Sequence, residues 1–258
     1  MGLNGMTYYR SNENLKDLFN SFSVLDKDVL TVLSSSDHLL YAYYYVASKV
    51  DSFDINEFTK FYYYMRKWAL LYNNDFYPKK GLFNSYNKYF EKLLDKVDTI
   101  SDKELQARDF WYLYLDRLKK SGNKMNLNDY VYPYNNIVND TNRLASIIED
   151  KDLTFYNVNM CGAVGSIRKK YDVIIMSNIL EYYCIDDKSL ERFRDNLYSL
   201  LKEDGRVICS NLIKYYDNLD KKMEREIFSE LFECNDLNDS YSYYNDSYIP
   251  VGYQYIKR

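Results

Sequence analysis

The residues best suited to chemistry fall in two short polar runs. The first, Ser34-Ser35-Ser36-Asp37-His38, follows the apolar stretch Asp28 to Leu33. The second, Asp54-Ile55-Asn56, ends the stretch Lys49 to Phe53. An acidic side chain about 20 residues beyond the first strand–helix turn of an α/β sheet can accept hydrogen bonds from ribose hydroxyls, and bonds to a carboxylate are strong because they are charge-assisted. Asp54 stands at that spacing from Ser34. The competing reading of Asp54 is a strand-end residue that caps the next helix through Asn56. Ile55 and Asn56 would flank a base, and Ile55 equally suits a core. The serine run reads as a turn and N-cap. It also opens a helix whose first N–H groups can receive a ligand carboxylate. His38, the one histidine, follows a capping Asp and precedes an apolar run, so it reads as a solvent-facing first-turn residue rather than a general base.

The serine run lacks the G-x-G-x-x-G pattern, and this separates ligands. Glycines there let the backbone touch a pyrophosphate, whereas three serines put side chains where a diphosphate would lie. A nicotinamide-type dinucleotide, and with it a nucleotide-dependent oxidoreductase, is disfavoured. S-adenosyl-L-methionine carries an adenosine without phosphate, and its sulfonium and amino-acid tail suit hydroxyls, carboxylates and carbonyls. It is the expected cofactor.

The elements that must hold these runs follow from hydrophobic period. Asp28 to Leu33 is apolar enough for a strand buried on both faces. Leu39 to Ser48 is helix-like, and Lys49 to Ile55 is a second strand, which together make a βαβ unit. The alternation then breaks. Glu57 to Leu71, Leu82 to Val97 and Asp102 to Lys120 are helical in period, the last with a Ser101/Glu104 capping box. Tyr134 to Glu149 gives one more helix. Strands return at Leu153 to Asn159, Tyr171 to Ser177 and Arg206 to Asn211, with helices at Ser189 to Lys202 and Lys221 to Leu231. Tyr241 to Ile256 reads as a hairpin about Pro250-Val251-Gly252. The expected fold is α/β: a Rossmann-like sheet of about seven strands with a helical insertion after the second. Residues 1–26 read as an N-terminal helical or lid segment, with Leu15, Leu18 and Phe19 on one side of a short helix and Tyr8, Tyr9 and Arg10 placed over the site. Residues 27–258 read as the α/β domain, and 57–133 as its insertion.

Composition narrows the function classes. A length of 258 residues with 47% hydrophobic and 28% charged residues gives material for a packed core and excludes a disordered chain. Net charge −4 offers no basic excess for a nucleic-acid backbone. The 31 tyrosines against 13 phenylalanines reflect codon bias, a tyrosine-lined pocket, or both. Cys161, Cys184, Cys209 and Cys234 form no CxxC pair, and with one histidine no metal site is expected. No signal peptide and no transmembrane segment are apparent, so a soluble cytoplasmic protein is expected.

The order VLTVLSSSDH, KVDSFDIN, helical insertion, YDVIIMSNILEYY and LKEDGRVICSN resembles the class I S-adenosylmethionine-dependent transferase superfamily. The insertion straight after D-x-N and the serine-rich first loop look most like the branch containing the 3-amino-3-carboxypropyl transferases of betaine-lipid synthesis. The resemblance covers roughly residues 27–60 and 134–212. It implies that Ser34, Ser35, Ser36, Asp37, Asp54, Ile55, Asn56 and Ser177 contact the cofactor. It implies that Asn159, near Asn157, reads the adenine amino group, although Asn159 also suits a plain turn. It places the transferred group and acceptor near Ser177, Asn178 and Tyr182, with Glu181 and Tyr183 beside them. The implied activity is transfer of a methyl or 3-amino-3-carboxypropyl group to a small-molecule or lipid-headgroup acceptor. A binding module that keeps the fold without the chemistry is the alternative, because no convincing general base is visible.

Overall fold

The computed structural model describes residues 7–8, 11, 13–72, 88–98, 101–121, 127–128, 140–162, 164–177, 179, 187–210, 221–237, 241–244, 247–250 and 252–258. The chain enters through β1 (Thr7–Tyr8) and α1 (Leu15–Asn20). The Asn14 side chain caps α1 by accepting the Asp17 N–H, and the stripe Leu15, Leu18, Phe19 is buried. The central βαβ unit is β2 (Asp28–Val32), α2 (Asp37–Tyr44) and β3 (Lys49–Asp54). β2 lies parallel to β3, with Val29 opposite Val50 and Val32 opposite Phe53. Helix α2 starts two residues earlier than its apolar period suggests. It stops at Tyr44 because Val46 turns left-handed (φ 66°) and the Tyr45, Val46 and Ala47 N–H groups close on Tyr41, Tyr43 and Ala42 carbonyls.

The insertion begins with α3 (Thr59–Tyr72), α4 (Lys88–Leu94) and α5 (Asp102–Ser121). The expected helix over 82–97 is described for Lys88–Leu94. α3 and α5 run antiparallel: Lys67 pairs with Glu104 at 3.1 Å, the Phe61 and Phe110 rings stack at 4.2 Å, and Trp111 Nε1 donates to the Phe61 carbonyl at 2.8 Å. The aromatic face of α3 is therefore core, with Tyr62, Tyr63, Tyr64 and Trp68 all buried. β4 (Leu127–Asn128) pairs in parallel with β1. Helix α6 (Thr141–Ile148), capped by Asp140, covers the described part of the helix expected over 134–149.

The remaining elements are β5 (Thr154–Asn157), β6 (Tyr171–Ser177), α7 (Asp187–Leu200), β7 (Leu201–Ser210), α8 (Lys221–Ser229), β8 (Phe232–Asp236), β9 (Tyr241–Tyr244), β10 (Ser247–Pro250) and β11 (Gly252–Lys257). Seven strands form one sheet in the order β5-β3-β2-β6-β7-β11-β8. The first five are mutually parallel, and β11 runs antiparallel to both neighbours. A dinucleotide-binding Rossmann sheet is mostly parallel, with the strand order running on without a wedged strand. The reversed strand wedged between β7 and β8 makes this the class I methyltransferase form of the sheet, with a helical insertion after the second strand.

Two expectations at the C-terminal end are corrected. The hairpin is β9–β10, with Tyr241 opposite Pro250, and the chain after Pro250 leaves it to enter the main sheet as β11. Gly252 permits this entry, because a Cβ there would fall inside van der Waals contact of the Cys209 carbonyl. β8 was not expected from sequence. Its residues FECND bury only Phe232 fully, as an edge strand does.

Strand order reverses across β2, whose neighbours are β3 on one side and β6 on the other. Ligands of such sheets bind at the carboxyl ends of the strands beside that switch point. The amino ends are tied by charge instead: Lys202 bridges Asp28 and Asp172 at 2.8 Å each, and Lys169 reaches Asp28 at 3.0 Å.

Candidate functional site

The turn after β2 takes the backbone shape of a glycine loop with serines in place. Ser34 (φ 41°) and Ser36 (φ 69°) are both left-handed, a region costing an L-residue about 1–2 kcal/mol. Asp54 holds the turn. Its Oδ2 accepts the Ser34 N–H at 2.8 Å, and its Oδ1 accepts the Asn56 N–H at 2.9 Å. The capping contact through Asn56 is thus real. The Ile55 N–H and the Thr59 hydroxyl also bond to this carboxylate. Burial pushes the Asp54 carboxyl above its ordinary value, and the Asn56, Ser34 and Ile55 N–H groups with the Thr59 hydroxyl pull it back in part.

Around Asp54 the rim is open. Ile55 is 50% exposed. Asn157 and Asn159 are exposed at the end of β5. Asn157 Nδ2 donates to the Asp54 and Ile55 carbonyls at 2.9 and 3.0 Å, which fixes the β3 exit. Asn159 Oδ1 accepts the Cys161 N–H at 2.9 Å, so it forms the turn that sequence allowed for it.

The rest of the first turn points inward. Ser35, Ser36, Asp37 and His38 are all buried. His38 is 2% exposed, which corrects the solvent-facing reading. Asp37 Oδ1 pairs with Arg66 of α3 at 2.7 Å, and its Oδ2 accepts the Ser11 N–H at 2.6 Å and the Ser35 hydroxyl at 2.8 Å. Arg66 also donates to the Ser35 carbonyl. His38 Nε2 lies against Glu13 Oε2. Glu13 Oε2 also accepts the Ser11 hydroxyl at 2.9 Å, while Oε1 accepts Ser177 Oγ at 2.6 Å and Ser210 Oγ. Burial alone would raise the Glu13 carboxyl, but His38 and the serine hydroxyls hold it down at about 2.

The structure therefore gathers Ser34, Asp54, Ile55, Asn56 and Asn159 at one rim. It places Ser177, left-handed at φ 57°, in the buried cluster beside it. The Ser177 hydroxyl donates to Glu13 Oε1 at 2.6 Å. Asn178 and Tyr182, with Glu181, Tyr183, Tyr9 and Arg10, lie outside the described residues. Glu13, Arg66, Ser11 and Ser210 were not singled out from sequence. Arg66, with Lys67, interrupts the apolar run of α3, which is the one visible signal of a paired buried charge.

α3 leaves directly from the Asp54 turn, and Arg66 reaches back to the first loop. α5 starts at the opposite end of the sheet, where Lys103 contacts Asp152 and the Leu153 carbonyl at 2.8 Å each. It rises antiparallel to α3, so its residues beyond Tyr114 extend past the start of α3 toward the strand ends. No described helix is long and apolar enough to cross a membrane.

No family model matches the chain, and no curated protein matches it. Among solved structures it is similar to the ribosomal protein L11 methylase of Lactobacillus delbrueckii subsp. bulgaricus, at 14% identity over 98% of this chain and 81% of that one, with a TM-score of 0.43. It is similar to a TehB-like SAM-dependent methyltransferase of Corynebacterium glutamicum, at 8% identity, 96% and 90% coverage and a TM-score of 0.45. It is similar also to the N-methyltransferase NodS of Bradyrhizobium japonicum in complex with S-adenosyl-L-homocysteine, at 8% identity, 94% and 83% coverage and a TM-score of 0.40. The fold assignment rests on the strand order above rather than on these similarities.

Proposed function

We propose that this chain is an S-adenosyl-L-methionine-dependent transferase that moves a methyl or 3-amino-3-carboxypropyl group to a small-molecule or lipid-headgroup acceptor. The observation that carries the reading is Asp54: a half-buried carboxylate at the carboxyl end of β3, locked onto Ser34 and Asn56 at the spacing of a ribose-binding acid, with exposed Ile55 beside it. That arrangement fits a ribose diol with an adenine against Ile55 and Asn159. The amino-acid tail fits the start of α2, where Ser36 makes no side-chain cap bond to the first N–H groups. A diphosphate fits poorly, because the left-handed Ser34 and Ser36 carry Cβ atoms where a glycine loop has none.

Bound there, the cofactor supplies a carbon already activated by its sulfonium. The residues then need only bind, orient and exclude water. Asp54 fixes the sugar, Ile55 covers the base, and the α2 terminus holds the carboxylate. The buried ion pairs beneath set the positions of these groups.

Thermal unfolding in the presence of S-adenosyl-L-methionine, S-adenosyl-L-homocysteine or NAD tests the reading. Either adenosyl ligand should raise Tm by mass action and NAD should not. A shift with NAD alone contradicts it. Product analysis then separates the two transfers: S-adenosyl-L-homocysteine marks methyl transfer and methylthioadenosine marks aminocarboxypropyl transfer. Donor binding with turnover on no acceptor would instead favour the binding module.

A further inference from the structure

We infer that Glu13 is a positioning residue of this site: its carboxylate ties Ser11 and the start of α1 to the carboxyl ends of β6 and β7 and the first turn of α2, and fixes the backbone at Ser177. The inference rests on the donor reading for the identity of the ligand, and on geometry for the clasp.

Glu13 is 3% exposed. A carboxylate taken that far from water is costly unless charge and hydrogen bonds compensate it. Here both oxygens are satisfied. Oε1 receives Ser177 Oγ at 2.6 Å and Ser210 Oγ, and Oε2 receives Ser11 Oγ at 2.9 Å and lies against His38 Nε2. A carboxylate has about four lone-pair sites, and these four partners among the described residues are enough to fill them. Glu13 is therefore not a ligand for the donor's ammonium; its capacity is spent on the chain itself.

The partners come from four places in the fold. Ser11 precedes α1, His38 is in the first turn of α2, Ser177 ends β6 and Ser210 ends β7. β2, β6 and β7 are adjacent in the sheet, so one side chain ties the ends of β6 and β7 to the first turn of α2 next to the switch point. A second tie reinforces the first: the Ser11 N–H donates to Asp37, the residue before His38, and Arg66 holds Asp37. Consecutive residues of α2 thus grip the segment at two points.

Ser177 shows what the clasp positions. Its φ of 57° is unfavourable for a non-glycine residue and persists only where the surroundings over-determine it. The bond to Glu13 is such a constraint. It sits where the chain leaves the sheet beside the first loop. A purely stabilising role would be met as well by apolar side chains of the same volume; a saturated polar node instead selects one arrangement of segment, loop and strand end.

Glu13→Gln in the full chain is the test, because it keeps the shape and removes the charge. Calorimetric titration with S-adenosyl-L-homocysteine should show a Kd weakened by about 10- to 100-fold, with circular dichroism confirming a folded chain. Amide exchange in residues 11–20 should speed up. Ser210→Ala, which deletes one of the four partners, should act in the same direction more weakly, and it decides the matter should Glu13→Gln not fold. A variant that melts earlier but keeps the parent's Kd within about twofold overturns the inference, because Glu13 would then be merely structural. If the parent itself does not bind S-adenosyl-L-homocysteine, the donor reading fails, and the clasp is judged on exchange alone: unchanged protection at 11–20 in Glu13→Gln overturns it and faster exchange supports it.

Discussion

Asp54→Ala separates the two jobs of one carboxylate. In the free protein Asp54 accepts two backbone N–H groups, from Ser34 at 2.8 Å and Asn56 at 2.9 Å. Removing it leaves both donors without this partner at a rim that water can reach. Two unmade buried bonds at about 1–3 kcal/mol each would cost about 2–6 kcal/mol, which exposure at the rim cuts to about 2–3 kcal/mol in total. For a chain of this size that lowers Tm by roughly 4–12 °C. Loss of the ribose contact should weaken S-adenosyl-L-homocysteine binding by a further 1.5–3 kcal/mol, roughly 10- to 150-fold in Kd. Asp54→Asn should fail similarly, since its amide nitrogen would face one of the two N–H donors. The control is Asp109→Ala, an exposed position on α5. Asp51, three residues before Asp54, is no control: it is 1% exposed, accepts the Tyr171 hydroxyl at 2.9 Å and lies 3.7 Å from Lys169. Denaturant unfolding and calorimetry on the same preparations read both effects. A folded Asp54→Ala that binds as tightly as the parent would refute the placement of the cofactor site.

Ser36→Gly should raise Tm by about 2–4 °C, because it relieves a left-handed serine and deletes a buried hydroxyl without a hydrogen-bond partner among the described residues, against a smaller glycine entropy cost; an unchanged or lower Tm would show that the loop is not strained. Arg66→Leu leaves Asp37 buried without its cation and should cost about 3–5 kcal/mol in denaturant unfolding; a loss near zero would show the pair to be incidental. Glu13, held at about 2 against a usual 4.5, is depressed in the folded state, so its contribution is complete above the usual value and is lost as pH falls from about 4.5 to about 2. That contribution is about 3 kcal/mol, and Glu13→Gln should flatten the acid limb of a stability–pH curve. A limb as steep in the variant as in the parent would assign it to other carboxylates.

The parts of the fold legible in the sequence are those set by local pattern. β2 and β6 are central strands, largely apolar because both faces are covered, and the Ser34–Asp54 spacing follows from the length of one βαβ unit. α5 announced itself through its capping box at Ser101 and Glu104. The final strands were not legible. β8 is an edge strand with little apolar content, and the entry of β11 between β7 and β8 depends on a close approach at Gly252 that no local pattern encodes. The buried cluster was hidden for another reason. Glu13 meets Ser177 and Ser210 across 164 and 197 residues, and His38 looks like an ordinary first-turn residue until the N-terminal segment is folded over it. Pairings set by tertiary packing leave no periodic trace in either partner.

The most direct test of the central claim is calorimetric titration of the full chain with S-adenosyl-L-homocysteine and, in parallel, with NAD. The account predicts saturable binding of the adenosyl ligand, abolished or strongly weakened by Asp54→Ala, and no binding of NAD. Saturable binding of NAD with none of S-adenosyl-L-homocysteine would contradict it.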